Sequence, residues 1–105
     1  MAKLLANAFS LNMLANLPAT VRVEALSKAE ASELARNAQS VVGHADTAAV
    51  FGDELGYEVP ANRTTVSLEP GDVLVVGQYR GPRLPEGATK LPEGATISWM
   101  RVTIE

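Results

Sequence analysis

The chain has 105 residues, 47% of them apolar and 20% charged, with a net charge of −3. That length supports one domain, residues 1–105, with one modest core, so a dimer interface would add useful burial. With no cysteine and a single histidine, a disulfide scaffold, a thiolate metal site, a cysteine nucleophile and an imidazole metal cluster are excluded, and the expectation is a protein without metal or cofactor.

In chain order, Lys3 to Ala6 reads as a short strand. Ser10 is placed to cap a helix carrying Leu11, Leu14 and Leu17, which Pro18 ends. Thr20 to Glu24 alternates with the period of a half-buried strand. Ser27-Lys28-Ala29-Glu30 has the form of a capping box, and Ala31, Leu34, Ala35 and Ala38 follow on one face of a helix. Ser40 to Gly43 reads as a short strand or buried lead-in. Asp46 or Thr47 can cap the next helix, with Ala48, Phe51 and Leu55 on one stripe and Gly56 as its stop. Gly52 inside that helix costs about 1 kcal/mol against alanine.

Arg63 to Leu68 alternates again and predicts a strand. Glu69-Pro70-Gly71-Asp72 is a turn signal, Val73 to Val76 a central strand, and Thr96 to Ile104 a long terminal strand. Between the last two, Leu84-Pro85-Glu86-Gly87-Ala88-Thr89 recurs as Leu91-Pro92-Glu93-Gly94-Ala95-Thr96, which predicts an ordered loop of two similar turns. Interleaved strands and helices give an α/β (α+β) domain, with a mixed sheet of about five strands flanked by helices.

The acidic balance disfavours a protein that coats nucleic acid through its summed field, so no stable nucleic-acid partner is expected. Residues 60–101 carry five basic groups against four acidic ones, whereas residues 1–59 carry four against seven, so an anion site is expected in the second half. No apolar run approaches the roughly 20 residues that span a bilayer. The opening Met1–Asn7 lacks the long apolar stretch of a signal peptide. The expected location is the cytoplasm, with no membrane partner.

His44 brings the side-chain type that ordinarily exchanges protons near neutral pH, and it lies just ahead of a helix start, where free N–H groups favour an anion. Beside a bound phosphate it could protonate a departing alkoxide; as a turn histidine it would satisfy a backbone group. Asn7, Ser10 and Asn12 surround the first helix start, as a second anion and ribose site or as plain capping. Arg83 and Glu86 are either a phosphate clamp with an orienting carboxylate or a solvated loop pair. Arg63 reads equally as an edge-strand charge. Trp99 reads as packing or an oligomer contact before a base-stacking platform.

Several of these residues together resemble the viral ring nucleases, small anti-CRISPR proteins of archaeal viruses with relatives in phages and bacterial mobile elements. Asn7-Ala8-Phe9-Ser10-Leu11-Asn12-Met13-Leu14 is similar to that family's opening, Gly43-His44-Ala45-Asp46-Thr47 to its G-H-x-x-T segment, Asn62-Arg63 to its N-R, and Gln78 with Arg83-Leu84-Pro85-Glu86-Gly87 to its Q…R-L-x-E-G loop. The resemblance implies a homodimer that binds cyclic tetra-adenylate across its two-fold axis. It implies metal-independent cleavage to linear di-adenylates, which silences type III CRISPR signalling. It makes His44 the general acid, Arg83 and Glu86 the clamp and orienting group, and Asn7, Ser10, Asn12, Arg63 and Gln78 ligand-binding residues. Arg80 competes with Arg83 for the clamp, and the spacing to Glu86 favours Arg83. The Leu-Pro-Glu-Gly-Ala-Thr repeat replaces a helix that follows the arginine loop in viral members. The alternative is a non-catalytic cyclic-nucleotide or nucleic-acid binding accessory protein.

Overall fold

The computed structural model describes residues 2–105; Met1, the first residue of the stretch weighed against a signal peptide, lies outside them. The described residues form β1 (Lys3–Ala6), a turn of 3-10 helix (Leu11–Met13), β2 (Val21–Leu26), α1 (Lys28–Ala35), β3 (Gln39–Ser40), α2 (Ala45–Leu55), β4 (Val73–Arg80) and β5 (Thr96–Ile104). The strands make one sheet in the order β2-β5-β4-β1-β3. β1 runs parallel to β3 and β4, and β5 runs antiparallel to β4 and β2. This is the mixed α+β sheet expected from the sequence. Among the described residues no helix is long and apolar enough to cross a membrane.

Alternation along the strands divides the interior into two layers. Leu5, Val75 and Trp99 meet Ala31 and Ala35 of α1 and Ala48, Phe51 and Leu55 of α2. The opposite face, with Leu4, Ala6, Leu74, Val76, Val102 and Ile104, is covered by irregular chain through Phe9, Met13, Leu14, Val66 and Leu68. The Phe51 ring stands edge-on to Trp99 with centroids 5.0 Å apart, so Trp99 is packing, as the sequence suggested. Gly77 makes room for both: a Cβ there would lie 2.5 Å from Trp99 and 2.7 Å from Phe51.

Helix limits follow local chemistry. The Ser27 hydroxyl accepts from Glu30 N and the Glu30 carboxylate accepts from Ser27 N, completing the capping box. These bonds hold the Glu30 carboxyl below its ordinary pKa. α1 ends at Ala35, before the predicted Ala38, although Ala38 still packs on the helix layer. α2 ends at Gly56, whose φ of 90° is the left-handed cap that glycine adopts freely. The Tyr57 hydroxyl donates to Ser32 O and the Ser32 hydroxyl to Leu55 O, fastening the two helices together.

Three expectations need correction. The helix through Leu11, Leu14 and Leu17 is only the three-residue turn Leu11–Met13. Its main chain turns outward: Leu68 N donates to Met13 O and Ala15 N to Leu68 O, while Leu11 and Leu17 stay 76% and 80% exposed. The residue that caps α2 is His44, by backbone position and without a side-chain bond; Asp46 lies in the first turn. Arg63 to Leu68 is not a strand. Its alternation reflects Val66 and Leu68 covering the sheet's second face, and among the described residues its main chain makes a single bridge, Leu68 with Leu14. Alternation reports burial of one side, which a segment can achieve without a ladder.

Two substitutions test this packing. Gly52→Ala should gain about 1 kcal/mol on helix propensity alone. A Cβ there would lie 2.8 Å from Tyr57 O and 3.3 Å from Val59 N, so denaturant unfolding is expected to show a net loss of about 1–3 kcal/mol, the usual cost of overpacking. Asp72 is the second. It is buried just ahead of the amino ends of β1 and β4, where its carboxylate accepts from Glu69 N at 2.9 Å and Ala2 N at 2.8 Å. Those bonds hold its pKa below the ordinary value. The folded state therefore binds that proton less readily, and the resulting stability is present above about pH 4 and is lost as pH falls below it. Asp72→Asn should cost about 1.5–3 kcal/mol at pH 7, the range for bonds to a charged group, with the difference from wild type shrinking towards about pH 3 in urea titrations.

Candidate functional site

Because β1, β3 and β4 are parallel, their carboxyl ends meet along one edge of the sheet. That edge is where open α/β sheets place their ligands, since loops rather than strands continue from it. Residues 7–10, 41–44 and 81–83 leave the sheet there. Apart from Arg63, the candidate ligand-contacting side chains from the sequence lie on these segments, their continuations or the adjoining strand end, and they fall into two groups.

The first group lies on the helix side. His44, exposed at the start of α2, lines a depression with Asp46, Thr47, Tyr79, Gly81, Arg83 and Leu84. Next to it, Asp46, Arg83, Leu84, Pro85 and Glu86 line a second depression. The fold thus brings His44 and Arg83 together, with Glu86 on the same loop. Arg80, at the end of β4, lines neither depression. Arg63 comes from a third direction. The Asn62 carboxamide donates to Ser40 O at 2.8 Å and its main-chain N–H donates to Val42 O at 2.8 Å. This lays the next residue against the turn before His44: a Cβ on Gly43 would lie 3.5 Å from Arg63 Cγ.

The second group lies across the sheet edge. Asn7 and Gln78 line a cleft with Phe9, Val23, Val76, Met100 and Val102. At about 210 Å³ the cleft is below the roughly 300–1,000 Å³ of self-contained small-molecule sites. Ser10 and Asn12 stand on the adjoining 3-10 turn, where the Ser10 hydroxyl donates to the Asn12 carboxamide instead of capping the turn. A second anion site at a helix start is therefore not formed, because three residues provide no extended helix.

The ion pairs among the described residues are Arg22–Glu105, Arg36–Glu33 and Arg101–Glu24. None uses Arg63, Arg83 or Glu86, which keeps these groups available to a ligand. The described residues hold no group of three or more His, Cys, Asp or Glu side chains arranged for a metal ion. The exposed His44 imidazole and the Arg83 guanidinium are what the depressions offer a phosphodiester: hydrogen-bond donors and a positive charge, set beside the N-terminal end of an 11-residue helix, with the Arg63 stem against Gly43.

Sequence reasoning gave Tyr79 no role and used Asp46 only as a cap. Tyr79 lies on the face of β4 that carries Val75, towards α2, and its hydroxyl donates to Pro82 O, holding the base of the arginine loop. The loop itself is the expected pair of turns: Ala88 N donates to Pro85 O and Ala95 N to Pro92 O, both at 3.1 Å, with Gly87 and Gly94 at φ 79° and 83°.

No curated protein matches the chain. Among solved structures it is similar to B116 of Sulfolobus turreted icosahedral virus (STIV), with a TM-score of 0.80 and 24% identity over 98% of this chain and 99% of that one. At that identity the likeness is one of fold. The family model described as STIV B116-like matches residues 3–98, and the chain belongs to that family.

Proposed function

We propose that this protein is a metal-independent ring nuclease that binds cyclic tetra-adenylate and cleaves it to linear di-adenylates, switching off type III CRISPR signalling. The observation that carries the reading is the meeting of His44 and Arg83 in one depression at the carboxyl edge of the parallel strands. The residue-level resemblance to viral ring nucleases and membership of a family named for an archaeal-virus protein support it.

The chemistry asks little of the protein beyond placement. A ribose 2′-oxygen bonds to the adjacent phosphorus as the P–O5′ bond breaks, leaving a cyclic 2′,3′-phosphate. The departing O5′ takes a proton from the His44 imidazolium, and the 2′ proton leaves to water. Arg83 holds the phosphate oxygens and Glu86 orients the arginine or the 2′-hydroxyl, so that the reacting atoms stay in line. Two such cuts open the ring into two di-adenylates. A C2 homodimer presents each group twice, which matches a ligand with its own two-fold symmetry. It also doubles a basic cluster that is small in one chain. Arg63 serves the phosphates from the Gly43 side, and Asn7, Ser10, Asn12 and Gln78 serve ribose and base edges.

The test incubates purified protein with cyclic tetra-adenylate in EDTA and separates the products, with sedimentation in parallel to give the oligomeric state. Linear di-adenylates from a dimer support the reading. Intact substrate at high protein concentration overturns it; tight binding without product would then mark a non-catalytic nucleotide-binding protein.

A further inference from the structure

We propose that Asp46 is a positioning residue that latches the Arg83–Glu86 loop to α2. The inference rests on the ring-nuclease reading for its consequence, and on geometry alone for its existence.

An aspartate in the first turn of a helix ordinarily satisfies that helix's own N–H groups. Asp46 does something else. Its Oδ1 accepts from Gly87 N at 3.1 Å, across 41 positions of sequence. Gly87 is the positive-φ residue of the turn that begins at Pro85, directly after Glu86. The bond therefore holds the far end of the loop, while the Tyr79 hydroxyl on Pro82 O holds the near end. Arg83 and Glu86 lie between the two anchors. Both are exposed, and among the described residues neither makes an ion pair. Their position relative to His44 is thus set by main-chain anchoring, and Asp46, two residues after His44, ties that anchoring to the helix that carries the imidazole.

The duplicated sequence supplies a control inside the same molecule. The second turn, Pro92 to Ala95, has the same residues, the same main-chain bond and nearly the same glycine φ. Among the described residues Gly94 N has no side-chain acceptor such as Asp46 gives Gly87. Two turns of identical sequence and main-chain bonding therefore differ in this side-chain bond, although the second is the more buried, with Ala95 in the core.

The test compares amide exchange at Gly87 and Gly94 by NMR in wild type, Asp46→Ala and Asp46→Asn. Asparagine keeps the accepting oxygen without the charge. Gly87 should exchange about tenfold more slowly than Gly94 in wild type and in Asp46→Asn, and equally fast in Asp46→Ala. In cleavage assays Asp46→Ala should lower kcat by about 10–100-fold, the cost of misplacing a catalytic group by about an ångström, with KM changed far less and Asp46→Asn restoring most of kcat. Equal exchange at the two glycines in wild type overturns the latch. So does equal behaviour of the alanine and asparagine variants, which would assign Asp46 an effect of charge. Unchanged kcat in an alanine variant whose Gly87 has lost protection overturns the positioning role. A wild-type protein that leaves cyclic oligoadenylates intact defeats the ring-nuclease reading, and exchange alone then decides the latch.

Discussion

Replacing His44 with alanine is expected to lower the rate of cyclic tetra-adenylate cleavage by about 10²–10⁴-fold, the usual contribution of a general acid, while binding persists. The side chain is exposed, and its ring takes no part in capping α2. Its loss therefore leaves the helix start and the core unchanged, so a fall in activity reads chemistry directly. Single-turnover cleavage with excess protein measures the step, and calorimetric binding in parallel shows whether the ligand is still held. An alanine variant that cuts at the wild-type rate removes His44 from the mechanism. Arg83 and Arg63 would then be the remaining basic groups at hand, placed to stabilise the charge of a phosphorane.

The second large effect concerns stability. Phe51→Ala is expected to cost about 3–5 kcal/mol, a large share of the roughly 5–15 kcal/mol that holds a domain of this size together. Phe51 is fully buried, edge-on to Trp99, and packed where Gly77 has no side chain. Alanine would leave a void that β4 and β5 cannot close, because both are paired to neighbours on each side. Urea unfolding followed by far-UV circular dichroism measures the loss. A change below about 1 kcal/mol would mean that the helix layer repacks freely, against the close packing usual in protein interiors. The variant also bears on the site, since Phe51 sits on the helix that presents His44 and loosening its seat would degrade the aim of the imidazole.

Parts of this protein were legible from residue order because they depend on local chemistry. The capping box at Ser27 and Glu30, the stop at Gly56, and the twin Pro-Glu-Gly turns are each decided within about four residues of chain, and the structure has them where they were expected. The terminal strand Thr96–Ile104 and the buried run from Val73 announced themselves by pattern. The segment from Ser10 to Pro18 did not, because its helical spacing competes with bonds to Leu68, 54 positions after Leu14, and those bonds form only once the chain has folded back. The same holds for Arg63 to Leu68, whose alternation marked a cover for the sheet and not a member of it.

The candidate site divides in the same way. Residue types alone named His44, Arg83 and Glu86, since few side chains in an acidic chain with one histidine can protonate an alkoxide or clamp a phosphate. Their meeting was decided by tertiary structure: parallel pairing of β1, β3 and β4 gathers three loop starts on one edge, Asn62 lays Arg63 against Gly43, and Asp46 reaches Gly87. Each of these joins residues about 20 or more positions apart. Local preference extends over a turn or two of chain, whereas contacts at that separation exist only when burial of the apolar layers has closed the intervening loops.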